Sequence, residues 1–150
     1  MSQSYCNLIY HIVFSTKGRQ NLLYDRIRPR IHEYIGGAVR NANGVAIIVN
    51  GTADLVHILA RLRQDQAISD ILRNIKASTS GWIHRTFPDL ATFAWQVGYG
   101  AFTVSASQIE KARLYIINQE NHHKTMSFTE EFVALLDAHG IEYDAKYLWT

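Results

Sequence analysis

The chain has 150 residues, 47% of them hydrophobic and 19% charged, and its net charge is +2 with a pI of about 8.7. That composition suits one soluble globular domain with its own core, residues 1–150. It is too weakly basic for a protein that grips nucleic acid by bulk charge. A single cysteine, Cys6, excludes an internal disulfide and suits a reducing cytosol. No basic segment followed by a long apolar run opens the chain, and no stretch approaches the roughly 20 apolar residues that cross a bilayer. A cytoplasmic protein is expected.

Residues 5–15, rich in aromatic and branched side chains, read as a strand, followed by a polar loop at Lys17 to Asn21. Ile31, Tyr34, Ile35 and Ala38 recur at helical spacing and predict a helix over 27–41, with Pro29 in its first turn. Val45 to Val49 reads as a short strand ended by the Asn50-Gly51 turn signal. Leu55 to Leu62 is apolar on both faces and reads as a central strand. Ile68, Ile71, Leu72, Ile75, Trp82 and Ile83 predict a second helix, with Ser69 as N-cap and Pro88 beyond its end. Residues 92–97 and 101–104 flank a Gly98-Tyr99-Gly100 turn and read as paired strands. Ser107 and Glu110 have capping-box spacing ahead of a helix carrying Tyr115, and Ser127 and Glu130 repeat it before residues 128–138, which Gly140 should stop. The order β-α-β-β-α-β, then further helix, predicts an α+β fold: a ferredoxin-like split βαβ with an antiparallel sheet, helices packed on it and extra C-terminal helices.

Two local patterns carry chemistry. On a continuous helix at about 100° per residue, Lys111, Tyr115, Gln119 and His122 fall within roughly 80° of one another, apart from the apolar stripe of Ile109, Ala112 and Ile116. A tyrosine hydroxyl is a covalent nucleophile when a base, a cation or a nearby positive charge activates it, and Lys111 lies one turn away. By itself this spacing also fits an interfacial aromatic beside a solvated glutamine. On the Leu55–Leu62 strand, alternation places Leu55, His57 and Leu59 on one face and Val56 and Ile58 on the other. A lone histidine on such a strand is by default a hydrogen-bonded core residue, and the same holds for His11. His32, His84 and His139 show no ligand spacing.

The motifs Tyr10-His11-Ile12-Val13-Phe14-Ser15-Thr16-Lys17, Asp54-Leu55-Val56-His57-Ile58-Leu59, Trp95-Gln96-Val97-Gly98-Tyr99-Gly100-Ala101-Phe102, Tyr115 to His123 and Tyr147-Leu148-Trp149 run nearly end to end. Together, and in this order, they resemble the single-tyrosine HUH transposases of insertion sequences and their REP-associated tyrosine transposase relatives. In that family two histidines flanking one hydrophobic residue bind a divalent cation, Mg²⁺ or Mn²⁺, and a downstream glutamine completes the site. The tyrosine one turn before that glutamine attacks single-stranded DNA, leaving a 5′-phosphotyrosine. The resemblance therefore implies Tyr115 as nucleophile and His57 and Gln119 as metal ligands.

The pattern departs at one point: Leu55 stands where the first histidine belongs. His122 and His123, three and four residues after Gln119, are possible substitute ligands, or simply histidines well placed near a helix C-terminus. Asp54 is adjacent but needs a bulge to reach the same face. Water in the vacant position and outright inactivation are the remaining options. The resemblance implies a homodimer, because one nucleophile per chain is too few for two coupled cleavages. Single-stranded or hairpin DNA is the expected partner, through Lys17, Arg19, Arg61, Arg63, Arg73, Lys76 and Lys111, with Trp95, Tyr99 or Phe102 available to stack on bases. Two further readings compete with an active transposase. One is a catalytically inactive, domesticated protein that binds hairpin or single-stranded DNA. The other is a structural or RNA-binding module on the same scaffold.

Overall fold

The computed structural model describes residues 3–148; Trp149, the last residue of the terminal motif, lies outside them. Four strands, β1 (Leu8–Ser15), β2 (Val45–Gly51), β3 (Leu55–Leu62) and β4 (Gly100–Val104), form one antiparallel sheet in the order β2-β3-β1-β4. This is the expected split βαβ arrangement. Helices α1 (Arg28–Asn41), α2 (Ile68–Thr86), α3 (Ile109–Ile117), α4 (Gln119–His122) and α5 (Phe128–Ala138) complete it.

Strand alternation divides the core in two. Ile12, Phe14, Val56, Ile58, Ala60 and Leu62 point to one face and bury against Ile31, Ile35 and Val39 of α1 and Ile71, Leu72, Ile75 and Ile83 of α2. The other face carries Ile9, His11, Val13, Leu55, His57, Leu59 and Phe102. There Ile9 and Leu59 pack with Ile116 of α3, while Val13, Leu55 and Phe102 pack with Phe128, Phe132 and Leu136 of α5. Two glycines allow the close approaches this requires. A Cβ on Gly51 would stand 2.1 Å from the Leu55 carbonyl oxygen, so the tight entry to β3 needs glycine. A Cβ on Gly100 would stand 2.8 Å from the Phe132 ring, so glycine lets α5 lie down on β4.

The structure corrects several local expectations. Residues 92–97 do not pair with β4. They return to the end of β1, where Trp95 bridges Thr16, Gln96 N donates to the Ser15 carbonyl at 2.9 Å, and Lys17 N donates to the Ala94 carbonyl at 2.9 Å. The Trp95 ring decides this by burying edge-on between Phe14 and Phe93. Helix α2 begins at Ile68 after Ala67, so Ser69 lies inside the first turn rather than capping it. Ser107 sits in a short turn, hydrogen-bonded with Ser105 at 3.2 Å, and α3 opens without a side-chain cap because Glu110 is drawn to Arg113. Ser127 does cap α5: its hydroxyl accepts from Glu130 N at 3.2 Å. Gly140, at φ +66°, follows the end of that helix.

Candidate active site

The tyrosine helix is broken where the sequence pattern predicts continuity. Helix α3 ends at Ile117, and Asn118, at φ −90° and ψ 20°, starts the short α4. Asn50 accounts for the break. Its amide nitrogen donates to the carbonyls of Ile116 at 2.9 Å and Ile117 at 3.2 Å, satisfying groups that the helix leaves open. Asn50 stands directly opposite His57 in the β2–β3 ladder, so strand and helix break are built together. After the break Gln119 turns inward and is fully buried, while Tyr115 stays half-buried.

His57 is fully buried on β3. Its Nδ1 lies 2.7 Å from His11 Nε2, and its Nε2 lies 2.9 Å from Glu131 Oε1. Glu131, only 1% exposed on α5, gathers the site. Oε1 also takes His123 Nε2 at 3.1 Å, and Oε2 takes the Gln119 amide at 3.2 Å and the Tyr115 hydroxyl. An ionised carboxylate only accepts, so the protons of these bonds lie on His57 Nε2, His123 Nε2, Tyr115 and Gln119. His57 Nδ1 is then the acceptor of the His11 Nε2–H.

The electrostatics follow from this network. Burial alone pushes the Glu131 carboxyl up. The hydrogen bonds from His123, His57 and Tyr115 outweigh it and hold the group well below the usual carboxylate range. Burial, then the bond and charge of Glu131, push the Tyr115 phenol above its ordinary value. The shared proton therefore belongs to Tyr115. Burial, and next the neighbouring His57, hold His11 down to about 3, so His11 is neutral.

The residues singled out from sequence fall into three groups. Tyr115, Gln119, His57 and His123 converge on Glu131. His122 stacks on the Tyr115 ring at 4.6 Å between centroids, and its buried Nε2 has no hydrogen-bond partner. Asp54 does not reach the site: it lies in the bend before β3, and its carboxylate accepts from the Thr52 hydroxyl at 2.9 Å. Leu55 lies in the apolar cluster with Phe128 and Phe132 and offers no donor.

Of the residues expected to contact DNA, Lys111 lines a cleft of about 620 Å³ that opens beside Tyr115, with His11, Ser105 and His139 also in its wall. Lys17 is exposed on the turn after β1, and Arg19 bonds Thr129 of α5. Arg61, Arg63 and Arg73 are exposed and engage Asn7, Asp65 and Asp70. Lys76 is a brace rather than a free cation. Its Nζ donates to the carbonyls of Gln96, at 3.0 Å, and Gly98, and burial lowers its pKa to about 8. Trp95 and Phe102 are buried, which removes them as base-stacking surfaces; Tyr99 is partly open.

The donor set suits a hard divalent cation: imidazole from His57, carboxylate from Glu131 and an amide oxygen from Gln119, whose buried Oε1 has no hydrogen-bond partner. Among the described residues, no group of three or more His, Cys, Asp or Glu side chains is poised as a metal cage by itself. The glutamine is thus needed, and the carboxylate must exchange hydrogen bonds for coordination.

No curated protein matches the chain in sequence. In fold it is similar to a candidate transposase from Deinococcus radiodurans R1, with 22% identity and a TM-score of 0.64 over 79% of this chain and 96% of that one. It is also similar to a REP-associated tyrosine transposase solved bound to a REP hairpin, with 14% identity and a TM-score of 0.56 over 83% and 72% of the two chains. The family model described as "Transposase IS200 like" matches residues 4–119, from before β1 through Gln119, and the chain belongs to that family.

Proposed function

We propose that the protein cuts and rejoins single-stranded DNA with Tyr115 as its nucleophile. The observation that carries this is the Tyr115 hydroxyl held against a buried carboxylate, with His57 and Gln119 on the same carboxylate and an open cleft beside the ring. The nucleophile and the groups that orient it stand in one hydrogen-bonded unit. The tyrosine oxygen bonds to the scissile phosphorus, and the bond from phosphorus to the 3′ oxygen breaks. The products are a 5′-phosphotyrosine and a 3′ end that leaves as a hydroxyl. In net balance the phenolic proton ends on the departing 3′ oxygen; in the resting site the Glu131 carboxylate orients the hydroxyl, and Lys111 on the cleft wall meets the phosphate charge.

His57 and Gln119 would hold Mg²⁺ or Mn²⁺, which when bound polarises the phosphate. DNA in hairpin or single-stranded form is the partner that family membership supports. Coupled cleavage of two ends calls for a homodimer. Within one chain, Tyr115 already meets its own His57 network, their ring centroids lying 6.0 Å apart.

A second reading rests on Leu55. Its burial in an apolar cluster removes the ligand expected there, which favours a protein that binds hairpin or single-stranded DNA without cutting it. One experiment separates the two. Single-stranded DNA from the ends flanking the gene is incubated with protein and Mn²⁺, and run on native and denaturing gels. A covalent band on the denaturing gel supports the transposase. A shift on the native gel alone supports the binding protein.

A further inference from the structure

Resting on that reading, we propose that Glu131 is a metal ligand. It takes the place of the histidine absent at position 55 and completes, with His57 and Gln119, a divalent-cation site beside Tyr115.

The placement argues for it first. Glu131 Oε1 lies 2.9 Å from His57 Nε2, and Oε2 accepts from the Gln119 amide nitrogen at 3.2 Å, which brings the glutamine side chain to the same carboxylate. Neighbouring ligands around an octahedral cation with bonds of about 2.1 Å stand roughly 3 Å apart, so His57 Nε2 and Glu131 Oε1 already keep ligand-to-ligand spacing. Gln119 Oε1, buried and without a hydrogen-bond partner, is an acceptor still waiting for a donor or a cation. A buried carboxylate also gives the site the negative charge that a second imidazole could not, and oxygen ligands are the ones Mg²⁺ and Mn²⁺ prefer.

Leu55 is part of the same device. It packs with Phe128 and Phe132, which flank Glu131 on α5. Leucine at this position therefore anchors the helix that delivers the carboxylate, where a histidine would have filled the site itself. For coordination His57 must present a bare Nε2, so its proton moves to Nδ1, the atom facing His11 Nε2 at 2.7 Å. His11 can accept there by carrying its own proton on Nδ1. His11 is thus a positioning residue whose Nε2 can bond His57 Nδ1 in either tautomer, and so supports the metal-ready one when the cation binds.

The test is Mn²⁺ binding without DNA, read from loss of the free-ion electron paramagnetic resonance signal. The unmutated chain should bind one Mn²⁺. Glu131→Gln should weaken that at least about tenfold. Equal affinity in Glu131→Gln, or no binding by the unmutated chain, overturns the proposal. Should the variant fail to fold, nuclear magnetic resonance of the unmutated chain decides. Traces of Mn²⁺ should broaden amides around His57, Gln119 and Glu131; broadening centred elsewhere overturns it. The two readings fail separately. Mn²⁺ bound through Glu131 with no DNA adduct leaves the site and removes the strand-cutting role. An adduct with Glu131-independent Mn²⁺ binding does the reverse.

Discussion

Asn50 faces His57 across the β2–β3 ladder, and its amide holds the two carbonyls at which the tyrosine helix breaks. The break lets Gln119 turn into the buried network while Tyr115 remains on the cleft wall. Asn50→Ala should cost about 1–2 kcal/mol in a urea melt, from carbonyls left without a donor. It should also slow formation of the covalent DNA adduct more than that stability loss explains. Unchanged adduct kinetics would show that the break positions nothing.

Glu131 is the common partner of His57, His123, Tyr115 and Gln119. Removing it strands several buried polar groups together. Glu131→Ala should destabilise the fold by about 3 kcal/mol, measured as a lower denaturation midpoint with an unchanged slope. An exposed, weakly coupled carboxylate would cost a fraction of that.

Leu55 is fully buried among Val13, Phe102, Phe128, Phe132 and Leu136. Leu55→His should cost about 2–4 kcal/mol, because it places a polar ring in an apolar cluster and loosens α5. Added Mn²⁺ should recover part of the loss, since position 55 shares the His57 face of β3. Thermal melts with and without Mn²⁺ check both statements.

Burial holds His11 down to about 3 and His32 down to about 4, and the buried Nε2 of His32 has no hydrogen-bond partner. Unfolded imidazoles take up protons below about pH 6.5, whereas these folded ones do so only at much lower pH. Stability is therefore complete above about 6.5 and falls as pH drops toward about 4 for His32 and about 3 for His11, by at most about 1.4 kcal/mol per pH unit for each histidine. Urea midpoints at pH 7 and pH 5 measure the loss, and His32→Gln should shrink it.

The sheet and the long helices were legible because their apolar residues keep a period of two or near 3.6 across whole elements. The β3 boundaries and the order of elements follow from that alone. Tertiary contacts decided the rest. Residues 92–97 left β4 for the end of β1 because Trp95 finds its pocket there. Helices α3 and α4 separated because Asn50, some 65 residues earlier in the chain, takes the carbonyls between them. Tyr115, His57 and Gln119 came from the motif pattern, and Glu131 did not: the family match ends at Gln119, twelve residues before it. A signal was nevertheless present. Phe128, Glu131, Phe132, Leu135 and Leu136 follow the i, i+3, i+4, i+7, i+8 stripe that an amphipathic helix buries. A carboxylate on that stripe needs buried partners.

The central claim is that Tyr115 becomes covalently linked to DNA. Protein incubated with single-stranded DNA from its own flanking ends and Mn²⁺ can be digested and its peptides weighed by mass spectrometry. The account predicts a 5′-phosphonucleotide on the peptide carrying Tyr115, and no such product from Tyr115→Phe, which still folds and binds the DNA. A nucleotide on another residue, or an adduct that persists in Tyr115→Phe, would contradict it.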